Sequence, residues 1–198
     1  MFAIAILAAG KGTRMKSSLP KVLHKIAGKT LLERVVESAL SLKPEKCLLI
    51  TGHKEQAIKS NLNDITNLDF VQQEPQHGTG HAIQQLLPKL KDFKGDLLVL
   101  NGDVPLLTKE TLAKLLSKHQ NSKASVTLLS AFLENPKGYG RVFSNRNKSV
   151  SQIIEDKDCS QTQLKNSLIN AGVYCFNWTE LKSVLSNLSP NNAQREIY

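Results

Sequence analysis

Apolar and polar residues alternate along the chain in blocks whose period changes from one block to the next. Phe2-Ala-Ile-Ala-Ile-Leu-Ala8 is a continuous apolar run closed by Gly10, Gly12 and a group of cations. A run this short, bounded by glycine, predicts a strand buried on both faces. Leu31, Leu32, Val35, Val36, Ala39 and Leu40 then follow a helical period, and Thr30 stands where an N-cap belongs. Cys47–Ile50 predicts a second strand closed by Thr51-Gly52, followed by a helix over 54–62. Strands are expected over 68–72, 96–100 and 125–132, with helices over 79–90 and 108–119 between them. This rhythm of strand, helix and short loop is that of right-handed βαβ crossovers and a mostly parallel sheet. After about residue 133 the rhythm changes. Short strands near 139–144, 150–154 and 168–176 predict a small antiparallel addition in the C-terminal third, before a last helix near 178–188. No linker or internal repeat divides the 198 residues, so a single α/β domain is expected.

Composition narrows the picture. Hydrophobic residues are 40% and charged residues 22% of the chain, which suits a folded globular protein. The apolar run at Phe2–Ala9 is too short to span a bilayer, and it lacks the basic flank of a signal peptide. Cys47, Cys159 and Cys175 form no CxxC pair and leave an odd number, so neither a disulfide framework nor a zinc site is expected. A cytoplasmic location follows as the expectation. The net charge of +9 is concentrated, because residues 1–60 hold eleven Lys/Arg against four Asp/Glu. Such clustering implies an anionic partner, although a solvated lysine-rich face has the same composition. Aromatic residues are only 5%, leaving few platforms on which nucleic-acid bases could stack. A small polyphosphate ligand fits better than nucleic acid or membrane.

Ligands of open α/β sheets bind beyond the carboxyl ends of the strands. Three loops at such ends carry suitable chemistry: Gly10–Lys21, Gln73–Thr79 and the segment reaching Asp103. In the first, Met15 replaces the third glycine of a dinucleotide fingerprint. The run Gly28-Lys-Thr30 imitates the end of a Walker A loop, yet Leu23 stands where its first glycine should be. Both folds are rejected. Small residues Ala8, Ala9 and Gly10 would let a base or phosphate approach the backbone. Gly10 and Gly12 are read as glycines for conformational freedom, their N–H groups forming an anion nest ringed by Lys11, Arg14 and Lys16. Lys21, just past Pro20, would reach a second phosphate. Asp103 follows a strand of leucine and valine where no packing reason for a carboxylate exists; it is a hard oxygen ligand suited to Mg²⁺ or a turn former. His77 and His81 have a zinc-compatible spacing, but Gly78 and Gly80 argue against a helix there, and packing or hydrogen bonding of the loop is expected instead.

The run Leu7-Ala-Ala-Gly-Lys-Gly-Thr-Arg-Met15 with Ser18-Leu-Pro-Lys-Val-Leu-His24 resembles the sugar-1-phosphate nucleotidyltransferases. Further motifs make the likeness specific. They are Gln73-Glu-Pro-Gln-His-Gly-Thr-Gly-His-Ala82, Asn101-Gly-Asp-Val-Pro-Leu106, Asn135-Pro-Lys-Gly-Tyr-Gly-Arg141, Ile154-Glu-Asp-Lys-Asp158, Ile169-Asn-Ala-Gly172 and Asn191-Asn-Ala-Gln194. Together they resemble the N-terminal, pyrophosphorylase half of the bacterial bifunctional N-acetylglucosamine-1-phosphate uridyltransferases/glucosamine-1-phosphate acetyltransferases.

That resemblance implies a Rossmann-like nucleotidyltransferase fold over residues 1–198 and Mg²⁺-dependent uridylyl transfer from UTP to N-acetylglucosamine 1-phosphate, giving UDP-N-acetylglucosamine and pyrophosphate. It implies Arg14 and Lys21 as catalytic residues and Asp103 as the metal ligand. Leu7, Ala8, Ala9, Gly10, Lys21, Gln73, Gly78 and Thr79 would bind the nucleotide, with Gly140, Glu155 and Asn170 at the sugar. Gln73 would read uracil through both ends of its amide; because an amide can flip, fixed backbone groups near Ala9, Gly10 and Gly78 would complete the choice. The domain is expected to continue beyond Tyr198 with a second metal-binding asparagine. In relatives a left-handed β-helix acetyltransferase domain, on which their homotrimer depends, follows.

Overall fold

The computed structural model describes residues 1–10, 12, 15–188 and 197. The first apolar run forms β1 (Phe2–Leu7), paired in parallel with β4 (Lys46–Thr51) on one edge and β6 (Asp96–Asn101) on the other. Enclosure on both faces explains why no polar residue interrupts it, although the period-two alternation of a strand persists beneath. Ile4 and Ile6 face α1 (Leu31–Leu40) and α4 (Lys109–Ser122), beside Leu49, Leu98 and Leu100. Ala3 and Ala5 face the opposite layer, where Ile50, Val99, Leu86 and Trp178 lie. The Trp178 indole donates to the Leu90 carbonyl at 2.9 Å, so this buried ring leaves no polar atom unpaired.

Thr30 caps α1 as expected. Its hydroxyl accepts from the Glu33 N–H at 3.1 Å, and the Glu33 carboxylate accepts from the Thr30 N–H at 2.5 Å. The bond from the Thr30 N–H, with the Thr30 side chain adding to it, holds the Glu33 carboxyl below its ordinary value. The Walker-like Gly28-Lys-Thr30 belongs to a small hairpin of β2 (Lys25–Ile26) and β3 (Lys29–Thr30). Ala27 and Gly28 at its turn both have positive φ, the signature of a two-residue primed turn.

The main sheet has the order β5-β4-β1-β6-β10-β8-β9, with β5 spanning Asp69–Gln72, β8 Arg141–Ser144, β9 Val150–Ile154 and β10 Leu168–Asn177. The four strands β5, β4, β1 and β6 are parallel; β10 enters against β6 in the opposite sense. The strand β7 (Val126–Phe132) pairs antiparallel with β10. It therefore runs in the direction of β6, as a crossover through α4 requires, but β10 is wedged between the two. Antiparallel pairing thus reaches one strand earlier in the chain than the loss of rhythm near residue 133 implies.

Helix α2 (Glu55–Asn61) lies where expected. The helical pattern over 79–90 yields only α3 (Thr79–Gln84), followed by tight turns in which the Leu87 N–H bonds the Gln84 carbonyl. Pro88 is the reason: its ring would collide with the carbonyl four residues back, and it disfavours helical backbone at Leu87. The last helix, α5 (Trp178–Val184), similarly tightens into a 3₁₀ turn over Leu185–Asn187. Among the described residues no helix is long and apolar enough to cross a membrane.

Candidate nucleotide and sugar-phosphate site

Because β1, β5 and β6 are parallel, their carboxyl ends open on one edge of the sheet. There Leu7 ends β1 and Ala8, Ala9 and Gly10 follow it, Gln73 follows β5, and Asp103 follows β6. All of them line one cleft of about 500 Å³, together with Lys21, Gly78 and Thr79. Small side chains make the close approach possible. Ala8 and Ala9 are buried, and the Ala8 N–H is anchored on the Ile50 carbonyl at 2.8 Å. Gly12 does need its freedom: it has φ +60, and a Cβ there would lie 2.8 Å from the Lys21 Cβ. Gly10 does not. It avoids the left-handed region and a Cβ would meet open space, so its smallness leaves room rather than permitting a strained turn. Lys11 and Arg14 lie outside the described residues, as do Asn191-Asn-Ala-Gln194.

Lys21 sits in a single 3₁₀ turn (Lys21–Leu23) directly after Pro20, and its Nζ meets the Asp103 carboxylate at 2.5 Å. Both groups are partly exposed to the cleft. Asp103 is the one carboxylate lining this cleft among the described residues, and no cluster of three or more metal-binding side chains occurs among them.

Gln73 is almost wholly buried, at 3% exposure. Its Nε2 donates to the Gly78 carbonyl at 2.9 Å and lies 3.1 Å from His81 Nδ1. The two amide hydrogens are therefore committed inside the protein, which corrects the expectation that both ends of the amide face a base. His81 belongs to α3, as does Gly80, so the two glycines of this loop do not prevent a helix there; Gly78 supplies its N-terminal boundary. No metal cluster includes His77 and His81 among the described residues; their rings pack edge to face, with centroids 5.4 Å apart.

A second cavity, of about 560 Å³, adjoins the first and shares Thr79 and Asn101 with it. Glu155, Asn170 and Tyr174 line it together with the apolar Ile83, Phe176 and Leu185. Asn170 is held at both ends, donating to the Tyr174 hydroxyl at 2.6 Å and accepting from the Gly172 N–H at 3.0 Å. Burial is the main influence raising the Glu155 carboxyl above its ordinary value, with Asp158 and Asp156 adding to it. Gly140 serves this carboxylate rather than the cavity directly: a Cβ there would stand 2.9 Å from Glu155 Oε1. Asn101 donates to the Gly172 carbonyl at 3.2 Å and so ties the wall between the cavities to β10.

Arg141 was legible only as part of a motif. Its guanidinium is buried, reaches Asp156 at 3.0 Å and donates to the Tyr139 carbonyl. It thereby pins the segment after β9 that carries Glu155. An arginine standing between glycine-rich and acidic motifs was the available signal.

Comparison with known proteins places these features in a family. Over all 198 residues the chain is 60% identical to a Bifunctional protein GlmU of Prochlorococcus marinus (strain MIT 9211), and 57% identical to one of Nostoc sp. (strain PCC 7120 / SAG 25.82 / UTEX 2576). It spans 44% of the length of each. Among solved structures, UDP-glucose pyrophosphorylase complexed with UDP-glucose superposes with a TM-score of 0.77, at 21% identity over 98% of this chain and 82% of that one. A putative glucose-1-phosphate thymidylyltransferase from Bacillus anthracis gives 0.79, at 17% identity over 99% of this chain and 78% of that one. At such identities the likeness establishes the nucleotidyltransferase fold alone. Residues 4–149, most of the chain, match the MobA-like NTP transferase domain, and the chain belongs to that family.

Proposed function

We propose that this chain carries uridylyl transfer: a phosphate oxygen of N-acetylglucosamine 1-phosphate attacks the α-phosphorus of UTP, and pyrophosphate leaves. The observation that carries the reading is the junction of two cavities at Thr79 and Asn101, one lined by Gln73, Lys21 and Asp103, the other by Glu155 and Asn170. Nucleotide and sugar would meet there. The relatives bear the name Bifunctional protein GlmU, which supports this substrate pair and a bacterial cell-wall precursor as product. A cytoplasmic location belongs to the same proposal.

The sugar phosphate is already an anion, so no side-chain nucleophile is required, and catalysis consists of positioning and charge neutralisation. Lys21 would hold the sugar phosphate. Arg14 would neutralise the departing pyrophosphate. Glu155 and Asn170 would accept from and donate to the sugar's hydroxyl and acetamido groups, and the absence of a side chain at Gly140 leaves room for Glu155. The donor set fits Mg²⁺, which takes one or two protein carboxylates and completes its shell with phosphate oxygens and water; Asp103 is the residue that would hold it. When bound, such a cation withdraws charge from phosphate oxygens.

Pyrophosphate release measured with UTP and N-acetylglucosamine 1-phosphate tests the proposal. Lys21→Ala or Arg14→Ala should lower turnover about a hundredfold, the scale of one lost electrostatic clamp (roughly 3 kcal/mol). Near-normal rates in both would refute the assignment. Binding of UDP-N-acetylglucosamine without any pyrophosphate release would instead make the chain a sugar-nucleotide-binding protein.

A further inference from the structure

Gln73 could in principle present either end of its amide, and only a fixed end can tell one pyrimidine from another. Two neighbours fix it. The Gly78 carbonyl, 2.9 Å from Nε2, is a backbone oxygen that can only accept, so turning the amide would set oxygen against oxygen. The second hydrogen of the same nitrogen points to His81 Nδ1 at 3.1 Å, which must then be the unprotonated nitrogen of the ring. In this tautomer the other ring nitrogen carries the hydrogen and faces Gln85 Nε2 at 3.2 Å, donor against donor. Gln85 is only half-buried and can turn that hydrogen toward water while keeping its bond to the His81 carbonyl at 3.0 Å, whereas Gln73 is buried and has no such escape. Oε1 of Gln73 has no partner among the described residues, and Gln73 lines the nucleotide cleft.

We propose that His81 is a specificity-determining positioning residue: with Gly78 it locks the Gln73 amide so that only an acceptor faces the base. This rests on the reading of Gln73 as the group that meets the nucleobase. A lone acceptor suits a base with a ring N–H on its pairing edge, as uracil has at N3. It repels cytosine, whose N3 is itself an acceptor, and the flip that would admit cytosine is closed. His81 acts through Gln73 and never needs to touch the ligand.

Calorimetric titration of the full chain with UTP and with CTP, in the presence of Mg²⁺, tests the inference. The wild-type protein should prefer UTP. His81→Leu, which has no acceptor, should lower the UTP/CTP affinity ratio about tenfold or more, the range of one misdirected hydrogen bond. His81→Asn places an amide oxygen close to the position of Nδ1 and should restore the ratio. A wild-type protein with no preference would overturn the base-reading role of Gln73 and this inference together. A wild-type preference that survives intact in His81→Leu would overturn the inference alone, as would an equal loss in the Leu and Asn variants, which would mark simple packing. Should His81→Leu fail to fold, the ¹⁵N spectrum of the wild-type imidazole decides: a bare Nδ1 supports the lock, and a protonated Nδ1 ends it.

Discussion

Gly172→Ala probes the wall between the two cavities. Gly172 lies within the irregularity of β10, between Asn170 and Tyr174, with φ +70. An alanine Cβ there would fall closer to Asn101 Nδ2 than side chains normally approach one another. Two penalties add. Left-handed backbone at a non-glycine residue costs about 1–2 kcal/mol, and rotating Asn101 away forfeits its hydrogen bond to the Gly172 carbonyl, about 1 kcal/mol. The smaller conformational entropy of the unfolded alanine chain offsets about 0.4–1 kcal/mol. A net destabilisation of about 2 kcal/mol is expected in urea denaturation. The contact part is separable, because Asn101→Ala removes the obstructing amide. In that background Gly172→Ala should lose about 1 kcal/mol less than in the wild type, a coupling that a double-mutant cycle resolves. Additive effects, or a single-variant loss below about 0.5 kcal/mol, would refute the steric account.

Glu155→Gln should stabilise the protein at neutral pH. The Glu155 carboxyl is held above its ordinary value by burial first and by Asp158 and Asp156 next, so its charged form is the disfavoured one. The native contribution of this group is fully present below the unfolded value near 4.5 and is lost as pH rises through the folded one. The melting-temperature gain of the variant should therefore shrink on acidification; a gain independent of pH would contradict the cause given. Thr30→Ala, which removes the cap of α1, should lower stability by about 1 kcal/mol in the same urea assay. Alkylation of the native protein followed by mass spectrometry should mark Cys159 before the others. Burial pushes the Cys47 and Cys175 thiols up to about 12, whereas Cys159 is only partly covered.

What was legible in the sequence is what strand chemistry states locally. Gln73 and Asp103 stand at the ends of apolar strands, where nothing in packing calls for them, and parallel pairing brings them together with Gly10. Other features depend on partners far along the chain. Gly140 and Glu155 are neighbours only because β8 and β9 fold back on each other. Asn101 and Gly172 meet because β10 enters beside β6, an insertion that no periodicity announces. Two local signals were present and outweighed. Pro88 stood inside an otherwise convincing helical pattern, and Ala27-Gly28 marked a hairpin turn at the start of the rejected Walker-like run. The commitment of the Gln73 amide was invisible for a different reason: His81 lies eight residues away, and only the turn at Gly78 and the start of α3 bring its ring within reach.

The pairing of Lys21 with Asp103 bears on how the ligands of the proposed reaction would bind together. Each is the other's counter-ion at 2.5 Å, with side-chain exposures of 44% and 28%. An ion pair that open to water is worth about 1 kcal/mol or less, so exchange of partners is easy. A sugar phosphate drawing on Lys21, as proposed, would strip Asp103 of its counter-ion and raise the demand for a cation there. Asp103, were it to hold a cation, would in turn release the Lys21 ammonium for phosphate. Each ligand therefore weakens the competitor of the other, and by linkage the favourable effect is mutual. Gly12, which gives Lys21 the space to stand over the first loop, is as much a part of this arrangement as the two charged groups themselves.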